Sequence, residues 1–300
     1  HTQASRPVIE AGRNLRVIGR AGVWLDNVDV PCATEHGIII CNTPTAYALS
    51  AAEHAFALML ACVRHVPQAH ISMHDGRWER SSFLGSEMCG KTLAVIGFGH
   101  IGTLVAARAR AFGMNVIVYD PYCASDRAQA AGVVLYGSID EVCAEADIIS
   151  VHLPRTDEVE GMFGTHQYAL MKEGVYLINS ACGGVFDLQQ MVPFLENGKI
   201  AGAAFDVFDK EPCTDSVLHR FENVVLTPHI GASTVEAQNR AGTQIADYVM
   251  RALGGKMVPT AVNVAPVPAE VMEAVGPYIP ACETVGHIIG QIIDGDIGAL

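Results

Sequence analysis

The 300-residue sequence predicts an α/β fold, in which helices cover both faces of a doubly wound parallel sheet. From residue 90 onward, short apolar runs alternate with helical stretches, a pattern typical of parallel sheets that are buried on both faces. A glycine-rich turn joins the first of these runs to the first helix. A chain of this length can bury about 75% of its unfolded surface, which is enough for a large core or for two cores.

Six strands and four helices are predicted in the alternating region. The strands are 93–97, 115–119, 147–152, 174–179, 200–205 and 223–227, and the helices are 101–112, 138–145, 165–172 and 187–197. Asp187 is the predicted N-cap of the last of these helices. Ligands of such sheets bind at the carboxyl ends of the strands, so the residues that follow each strand are the candidates for a functional site.

The other segments predict a second, smaller domain and a further module. We expect residues 1–43 to be a remnant of the smaller domain, 44–232 to form the domain with the sheet, and 233–256 to be one long helix. Residues 257–300 have the composition of a linker followed by the start of another module. The helix predicted at 50–63 is apolar nearly all round, which requires burial on every side, against the domain or a second subunit.

The composition excludes several classes of protein. The formal net charge of −13 argues against nucleic acid as the main partner, and no apolar run approaches the ~20 residues of a membrane span. Nine cysteines without a C-x-x-C pair indicate free thiols in a reducing compartment, so we expect a cytoplasmic location. His70 and His74 lie four residues apart without an evident third ligand, so no metal site is predicted.

The run Thr92-Leu-Ala-Val-Ile-Gly-Phe-Gly-His-Ile-Gly102 has the G-x-G-x-x-G spacing between a strand and a helix. Gly97 permits the tight turn, Gly99 lets the backbone approach a pyrophosphate, and Gly102 lets the helix pack closely on the strand. The helix N-terminus at His100 and Ile101 offers unpaired N–H groups to the phosphates. Asp120 ends the next apolar run, where it favours an unphosphorylated ribose. The sequence therefore predicts a Rossmann-type domain that binds NAD rather than NADP, and a glycine turn without a ligand is the alternative.

Four further motifs resemble those of the D-isomer-specific 2-hydroxyacid dehydrogenases, and most of all the phosphoglycerate dehydrogenase branch of that family. They are Arg20–Asp29, Asn179–Gly184, Asp206–Pro212 and Thr227–Gly231, and the similarity runs from about residue 14 to 256. The resemblance implies hydride transfer between NAD and a D-2-hydroxy acid in serine biosynthesis, by a homodimer or larger oligomer. It also implies that the smaller domain binds substrate, is completed by the returning helix 233–256, and is incomplete in this chain, which starts at His1 without a methionine.

The resemblance assigns roles to residues of these motifs. His229 is similar to the family's acid/base and Glu211 to its carboxylate partner, while Asp206 and Pro154 match cofactor contacts. Oxidation of a 2-hydroxy acid requires removal of the hydroxyl proton as hydride leaves the carbon. A histidine titrates in the useful range, and a neighbouring carboxylate favours its protonated form and fixes its tautomer. We therefore expect His229 and Glu211 to act as a pair.

The substrate half of the site departs from the family pattern. Cys182 occupies the position of an arginine that binds the substrate carboxylate. Cysteine offers neither the positive charge nor the paired N–H donors of a guanidinium. Losing one partner of a buried charged pair costs ~2–5 kcal/mol, or roughly 30- to 4,000-fold. Trp24 and Tyr47 also stand where the family has small or amide residues. Arg20 and Arg80 match positions that contact the substrate phosphate, Arg80 from a neighbouring subunit.

Three functional hypotheses follow. The first is an NAD-dependent dehydrogenase of the phosphoglycerate dehydrogenase type with impaired or redirected turnover. The second is a catalytically silent NAD-binding sensor or scaffold, and the third is a dehydrogenase for a different 2-hydroxy or 2-keto acid. All three hypotheses predict that the cofactor-binding residues are intact and bind NAD. They differ in whether the altered substrate-binding residues still support turnover, and with which substrate.

Overall fold

The computed structural model describes residues 2–264, 271 and 274–292, which divide into two compact units. Among the described residues, the smaller unit comprises 2–20, 24–42 and those from 245 to 292, and the larger comprises 21–23 and 43–244. Parts of the predicted linker and C-terminal module, at 265–270, 272–273 and 293–300, lie outside the described residues. In the part that is described, no helix is both long and apolar enough to cross a membrane.

The smaller unit is built on two parallel strands, β1 (Val17–Arg20) and β2 (Ile39–Asn42). Helices α1 (Arg6–Ala11) and α2 (Val30–Glu35) contribute to its core, in which Ile9, Cys32, Ile38 and Ile40 are buried together. The second half of a long helix packs on the other side of the strands. Gly19 allows this approach, because a methyl group there would lie 2.6 Å from Val249 Cγ2.

The larger unit contains the predicted doubly wound sheet. Its strands are β3 (Thr92–Ile96), β4 (Asn115–Tyr119), β5 (Val134–Tyr136), β6 (Ile148–Val151), β7 (Val175–Asn179), β8 (Ile200–Phe205) and β9 (Val224–Leu226). All are parallel, in the order β5-β4-β3-β6-β7-β8-β9. The six predicted strands are present, and β5 was not predicted. The strand order reverses between β3 and β6, so their carboxyl ends form the switch point at which such sheets bind ligands.

Helices cover both faces of this sheet. The larger unit contains α3 (Ala48–Val63), α4 (Val66–His74), α5 (His100–Ala111), α6 (Ser125–Ala131), α7 (Ile139–Glu145), α8 (Thr165–Leu170) and α9 (Leu188–Glu196). The long helix α10 (Val235–Leu253) begins in the larger unit and ends in the smaller one. One buried cluster joins α3 and α5 to the sheet, and a second joins α7, α8 and α9 to its other face. As predicted, Asp187 caps α9, accepting from Gln190 N at 3.0 Å.

Helix α3 is buried mainly by its own domain. Ala52, Ala55, Phe56 and Met59 pack into the same cluster as the apolar side chains of the central strands. The helix also packs against α5 and against strands β7, β8 and β9. This placement brings the first turns of α3 to the edge of the sheet where the candidate site residues lie.

Candidate active site

The glycine turn between β3 and α5 has the geometry that the motif predicts. Gly97 has φ of 93°, a left-handed conformation that favours glycine, and a methyl group there would lie 2.7 Å from the carbonyl oxygen of His152. A methyl group at Gly102 would collide with the carbonyl oxygen of Gly97. At Gly99, by contrast, nothing lies within 4 Å of such a group. The turn is therefore tight where helix and strand meet and open where a pyrophosphate would approach.

Asp120 lies directly after β4 and also stabilises the glycine turn. Its Oδ2 accepts from Phe98 N at 2.7 Å, and its Oδ1 accepts from Tyr122 N at 2.9 Å. Each carboxylate oxygen has two acceptor sites, so each retains one for a ribose hydroxyl. Pro154 lies exposed beyond the end of β6, on the other side of the switch point. His100 and Ile101 form the first turn of α5.

The predicted acid–base pair is assembled in the structure. His229 Nδ1 lies 2.7 Å from Glu211 Oε2, and the second carboxylate oxygen, Oε1, accepts from Phe208 N at 3.0 Å. The side chains of His229 and Glu211 are 51% and 36% exposed, so they are open to a substrate. His229 has a left-handed backbone with φ of 53°, and its N–H donates to the carbonyl oxygen of Asp206 at 2.8 Å.

Asp206 is fully buried at the end of β8 and organises the segment that carries His229. Its Oδ1 accepts from Thr227 Oγ1 at 2.5 Å and from Ile230 N at 2.8 Å, and its Oδ2 accepts from Gly231 N at 2.8 Å. Burial acts to raise the pKa of Asp206, but hydrogen bonds from His54, Thr227, Ile230 and Gly231 outweigh it and lower the pKa. The carboxylate is therefore held ionised.

The register of the sheet places Ser180, Asp206 and Thr227 side by side. Asn179 pairs with Phe205, and Phe205 pairs with Leu226, across three adjacent strands. Each of the three side-by-side residues comes directly after one of these paired residues. Ser180 Oγ is buried and has no hydrogen-bond partner among the described residues. An unsatisfied buried hydroxyl beside a buried carboxylate suits a polar ligand group such as the nicotinamide carboxamide. Together with the open space at Gly99, this arrangement fits NAD.

Cys182 is buried and turned toward the loop that follows β6. Its Sγ lies 3.6 Å from the carbonyl oxygen of Leu153. Burial raises the pKa of Cys182 to about 11, and the nearby charge of Arg155 lowers it only in part. The side chain is therefore a neutral thiol at physiological pH. It supplies neither a positive charge nor a thiolate nucleophile.

The other residues predicted to contact the substrate fall in both units. Arg20 and Trp24 belong to the smaller unit, whereas Tyr47 and Arg80 belong to the larger one. Tyr47 donates its hydroxyl to the carbonyl oxygen of Ala21 at 3.0 Å. Arg80 is exposed at the start of a short 3₁₀ turn. Contact of these four side chains with a substrate stays a prediction.

One group of possible metal ligands occurs among the described residues, on α2 of the smaller unit. Cys32, Glu35 and His36 bring ligand atoms within 4.8 Å of one another. However, His36 Nδ1 lies 2.8 Å from the carbonyl oxygen of Cys32, and Glu35 pairs with Arg6 at 3.0 Å. These polar groups already have partners, so we assign no metal to them.

Residues 56–231 match the NAD-binding domain of the D-isomer-specific 2-hydroxyacid dehydrogenases, which is more than half of the chain. The chain belongs to this family. The resemblance recognised in the motifs and the predicted α/β fold are thereby confirmed. The glycine turn and Asp120 lie inside the matched NAD-binding domain, in agreement with the predicted cofactor.

Curated relatives match nearly the whole chain. D-3-phosphoglycerate dehydrogenase of Methanocaldococcus jannaschii is 45% identical over 99% of this chain and 56% of its own length. The enzyme of the same name from Mycobacterium tuberculosis is 46% identical over 98% of this chain and 55% of its own length. The chain thus spans about half the length of the curated relatives it matches.

Solved structures of the family share the fold. D-lactate dehydrogenase from Escherichia coli superposes with a TM-score of 0.78 at 29% identity, covering 87% of this chain and 83% of that one. D-lactate dehydrogenase from Aquifex aeolicus, solved with NAD and lactic acid, gives a TM-score of 0.76 at 29% identity, covering 88% and 85%. The chain therefore shares its architecture with solved NAD-dependent dehydrogenases of the family.

Proposed function

We propose that this chain carries the NAD-binding and acid–base parts of a dehydrogenase for a small anionic D-2-hydroxy acid, of the 3-phosphoglycerate type that serves serine biosynthesis. The observation that carries the proposal is the 2.7 Å contact between His229 Nδ1 and Glu211 Oε2. This pair follows β8 and β9, at the same edge of the sheet as the glycine turn after β3. The names of the relatives support the choice of substrate class.

The chain's own residues divide the chemistry among them. Bound NAD would supply the acceptor for the hydride of the hydroxyl-bearing carbon of the substrate. Glu211 engages Nδ1 of His229, which leaves Nε2 free to take the hydroxyl proton. The carboxylate stabilises the imidazolium that forms, so the proton is held at His229 until solvent receives it. In the reverse direction the same imidazolium returns the proton to the 2-keto oxygen.

The altered substrate half favours a second function. Cys182 is buried and neutral, so residue 182 cannot hold a substrate carboxylate by charge. A catalytically silent protein that binds NAD as a sensor or scaffold would keep the cofactor half and lose this contact. A pocket remade for another 2-hydroxy or 2-keto acid is the third candidate, and it would recruit different groups for the substrate.

Three measurements separate these functions. Quenching of protein fluorescence reports NADH binding, and formation of NADH from NAD with 3-phosphoglycerate reports the proposed activity. A panel of other D-2-hydroxy acids tests the remade pocket, and the His229→Ala variant must abolish any turnover found. Binding without turnover on every acid would favour the silent protein. Failure to bind NADH would contradict all three functions.

We also propose a cytoplasmic homodimer. All nine cysteines are unpaired, as a reducing compartment favours. The larger unit exposes large apolar side chains over residues 66–84, including Ile71, Trp78 and Leu84. Exposed apolar side chains this frequent along one segment are what an interface with a second subunit would cover. Sedimentation at two protein concentrations tests the dimer, and a monomer at both would exclude it.

A further inference from the structure

Helix α3 contacts the segment that carries His229 through two polar side chains. Ser50 Oγ lies 2.8 Å from Thr234 Oγ1. His54 Nε2 lies 3.2 Å from Thr227 Oγ1 and 3.2 Å from Asp206 Oδ1. Ser50 and His54 are four residues apart and therefore lie on one face of the helix. This face contacts the segment 227–234 near both of its ends.

The hydrogen-bond pattern determines where His54 carries its proton. The hydroxyl of Thr227 has one proton, and it donates that proton to Asp206 Oδ1. Toward His54, Thr227 is therefore an acceptor, and the ionised carboxylate of Asp206 also only accepts. His54 Nε2 must then be protonated, in either the neutral Nε2–H tautomer or the imidazolium. The ring serves as a donor shared by two acceptors.

The two acceptors of His54 fix the main chain on both sides of His229. Thr227 precedes His229 by two residues, and Asp206 binds the N–H groups of Ile230 and Gly231, which follow it. The N–H of His229 itself donates to the carbonyl oxygen of Asp206. A left-handed backbone at a residue other than glycine persists only where its surroundings determine it. Here those surroundings converge on the side chain of Asp206.

Packing around Gly231 leaves little freedom for Asp206 to reorient. A methyl group at Gly231 would lie 3.1 Å from Asp206 Oδ2 and 3.6 Å from His54 Cδ2. An apolar side chain in place of His54 would fill much of the same volume. It would remove the donor to two buried acceptors, and an unmade hydrogen bond of this kind is costly.

We propose that His54 is a positioning residue for proton transfer, which holds Asp206 and Thr227 so that they orient His229. The role rests on the proposed function, because it concerns the reaction assigned to His229. His54 touches no reacting atom. It acts through two side chains and the main chain that they bind, so its loss should reduce the rate more than it weakens substrate binding.

Three variants test this role in the purified protein. His54→Leu removes the donor and keeps an apolar volume, His54→Gln restores an N–H donor near the Nε2 position, and His70→Leu is the control, an exposed histidine on the next helix. We expect His54→Leu to lower kcat roughly 10- to 100-fold, the range for a slightly misplaced catalytic group, with KM changed less than about 3-fold. His54→Gln should recover most of the loss, and His70→Leu should match the wild type.

Hydrogen exchange gives a readout that needs no turnover. Exchange of the Ile230 and Gly231 amides should speed up about tenfold or more in His54→Leu and return toward the wild-type rate in His54→Gln. Unchanged exchange and kcat in His54→Leu would overturn the proposal, as would equal losses in the Leu and Gln variants. If the wild type has no turnover on any acid tested, the proposed function fails, and faster exchange would then still establish that His54 holds the segment.

Discussion

The thiol of Cys182 lies 3.6 Å from the carbonyl oxygen of Leu153, the second residue of the loop that follows β6. This contact directs the thiol of Cys182 toward the interior of the domain. The family pattern, by contrast, places a substrate-binding guanidinium at this position. The adjoining groups Asp206, His229 and Glu211 keep the arrangement expected for proton transfer. The site thus combines the geometry expected of an acid–base pair with a neutral thiol where the resemblance predicts a cation.

Restoring the cation should restore substrate affinity. We expect Cys182→Arg to raise kcat/KM for 3-phosphoglycerate at least about 30-fold, the lower bound for a regained buried charge pair. The dissociation constant for NADH should not change, because the glycine turn is untouched. Cys182→Ala is the matched control, since it removes the thiol without adding charge. Equal activity of the Arg and Ala variants, with unchanged thermal unfolding, would show that residue 182 does not bind the substrate.

Removal of the acid–base pair should separate chemistry from cofactor binding. His229→Gln should lower kcat about 10²- to 10⁴-fold, the range for loss of general acid–base catalysis. Glu211→Gln should have a smaller effect in the same direction, because Gln keeps a hydrogen bond to Nδ1 but no charge. NADH fluorescence titration should give wild-type affinity for both variants. A large loss of NADH affinity in either one would mean that the pair supports the cofactor instead.

The glycine turn permits a test of cofactor contact without loss of the fold. A methyl group at Gly99 meets nothing within 4 Å, so Gly99→Ala should unfold at the wild-type temperature. The same methyl group would stand where a pyrophosphate approaches, and we expect NADH affinity to fall at least about tenfold, or ~1.4 kcal/mol. Gly242→Ala is the control, because that glycine lies in α10 and a methyl group there also meets nothing within 4 Å. Undiminished affinity in Gly99→Ala would place the cofactor elsewhere.

Asp206 should make stability depend on pH. Its pKa is lowered in the folded protein, so its contribution to the free energy of unfolding is present above the unfolded-state value of about 4. This contribution is lost as the pH falls through the lower folded-state pKa. Asp206→Asn should therefore be destabilised by about 2 kcal/mol at pH 7, the value of hydrogen bonds to a buried charge. Urea unfolding should show that the difference in free energy of unfolding between Asp206→Asn and the wild type becomes smaller in acid. The control variant Asp157→Asn changes an exposed carboxylate and should show no such difference.

The cysteines should differ sharply in reactivity. Burial raises the pKa of Cys182 to about 11, so only about one thiol in a thousand is ionised at pH 8. Cys89 is exposed. Mass spectrometry after iodoacetamide treatment should find Cys89 modified well before Cys182. Rapid labelling of Cys182 would contradict a buried, neutral thiol at this position.

The sequence predicted the parts of the fold that bury apolar side chains. Each of the six predicted strands is present, because Val- and Ile-rich runs between helices have few other places to pack. The short edge strand β5 was not predicted. It has three residues, of which Val134 is 59% exposed, and the apolar run at 133–136 is only four residues long. Helix α4 follows α3 after two residues and has only one buried side chain, Ser72, which likewise leaves no apolar signal.

The candidate site residues that belong to short sequence motifs could be predicted. Gly97, Gly102 and Asp120 follow strands at fixed spacing, and Glu211 and His229 stand in recognisable motifs. His54 was missed, because its contact with Thr227 joins residues 173 positions apart. A single histidine in an apolar helix gives no sign of such a partner. The signal that could have found it is the pair Ser50 and His54, which lie on one face of a helix whose only charged residue is Glu53.

The backbone of His229 limits which residues can replace it. With φ of 53°, the position suits Gly, Asn and Asp and penalises β-branched side chains. If the catalytic activity were lost in evolution, substitution of His229 by asparagine or glycine would therefore preserve the fold most easily. Substitution by valine or isoleucine would preserve it least easily. Homologues with Asn or Gly at this position would accordingly be the first candidates for members that bind the dinucleotide and catalyse nothing.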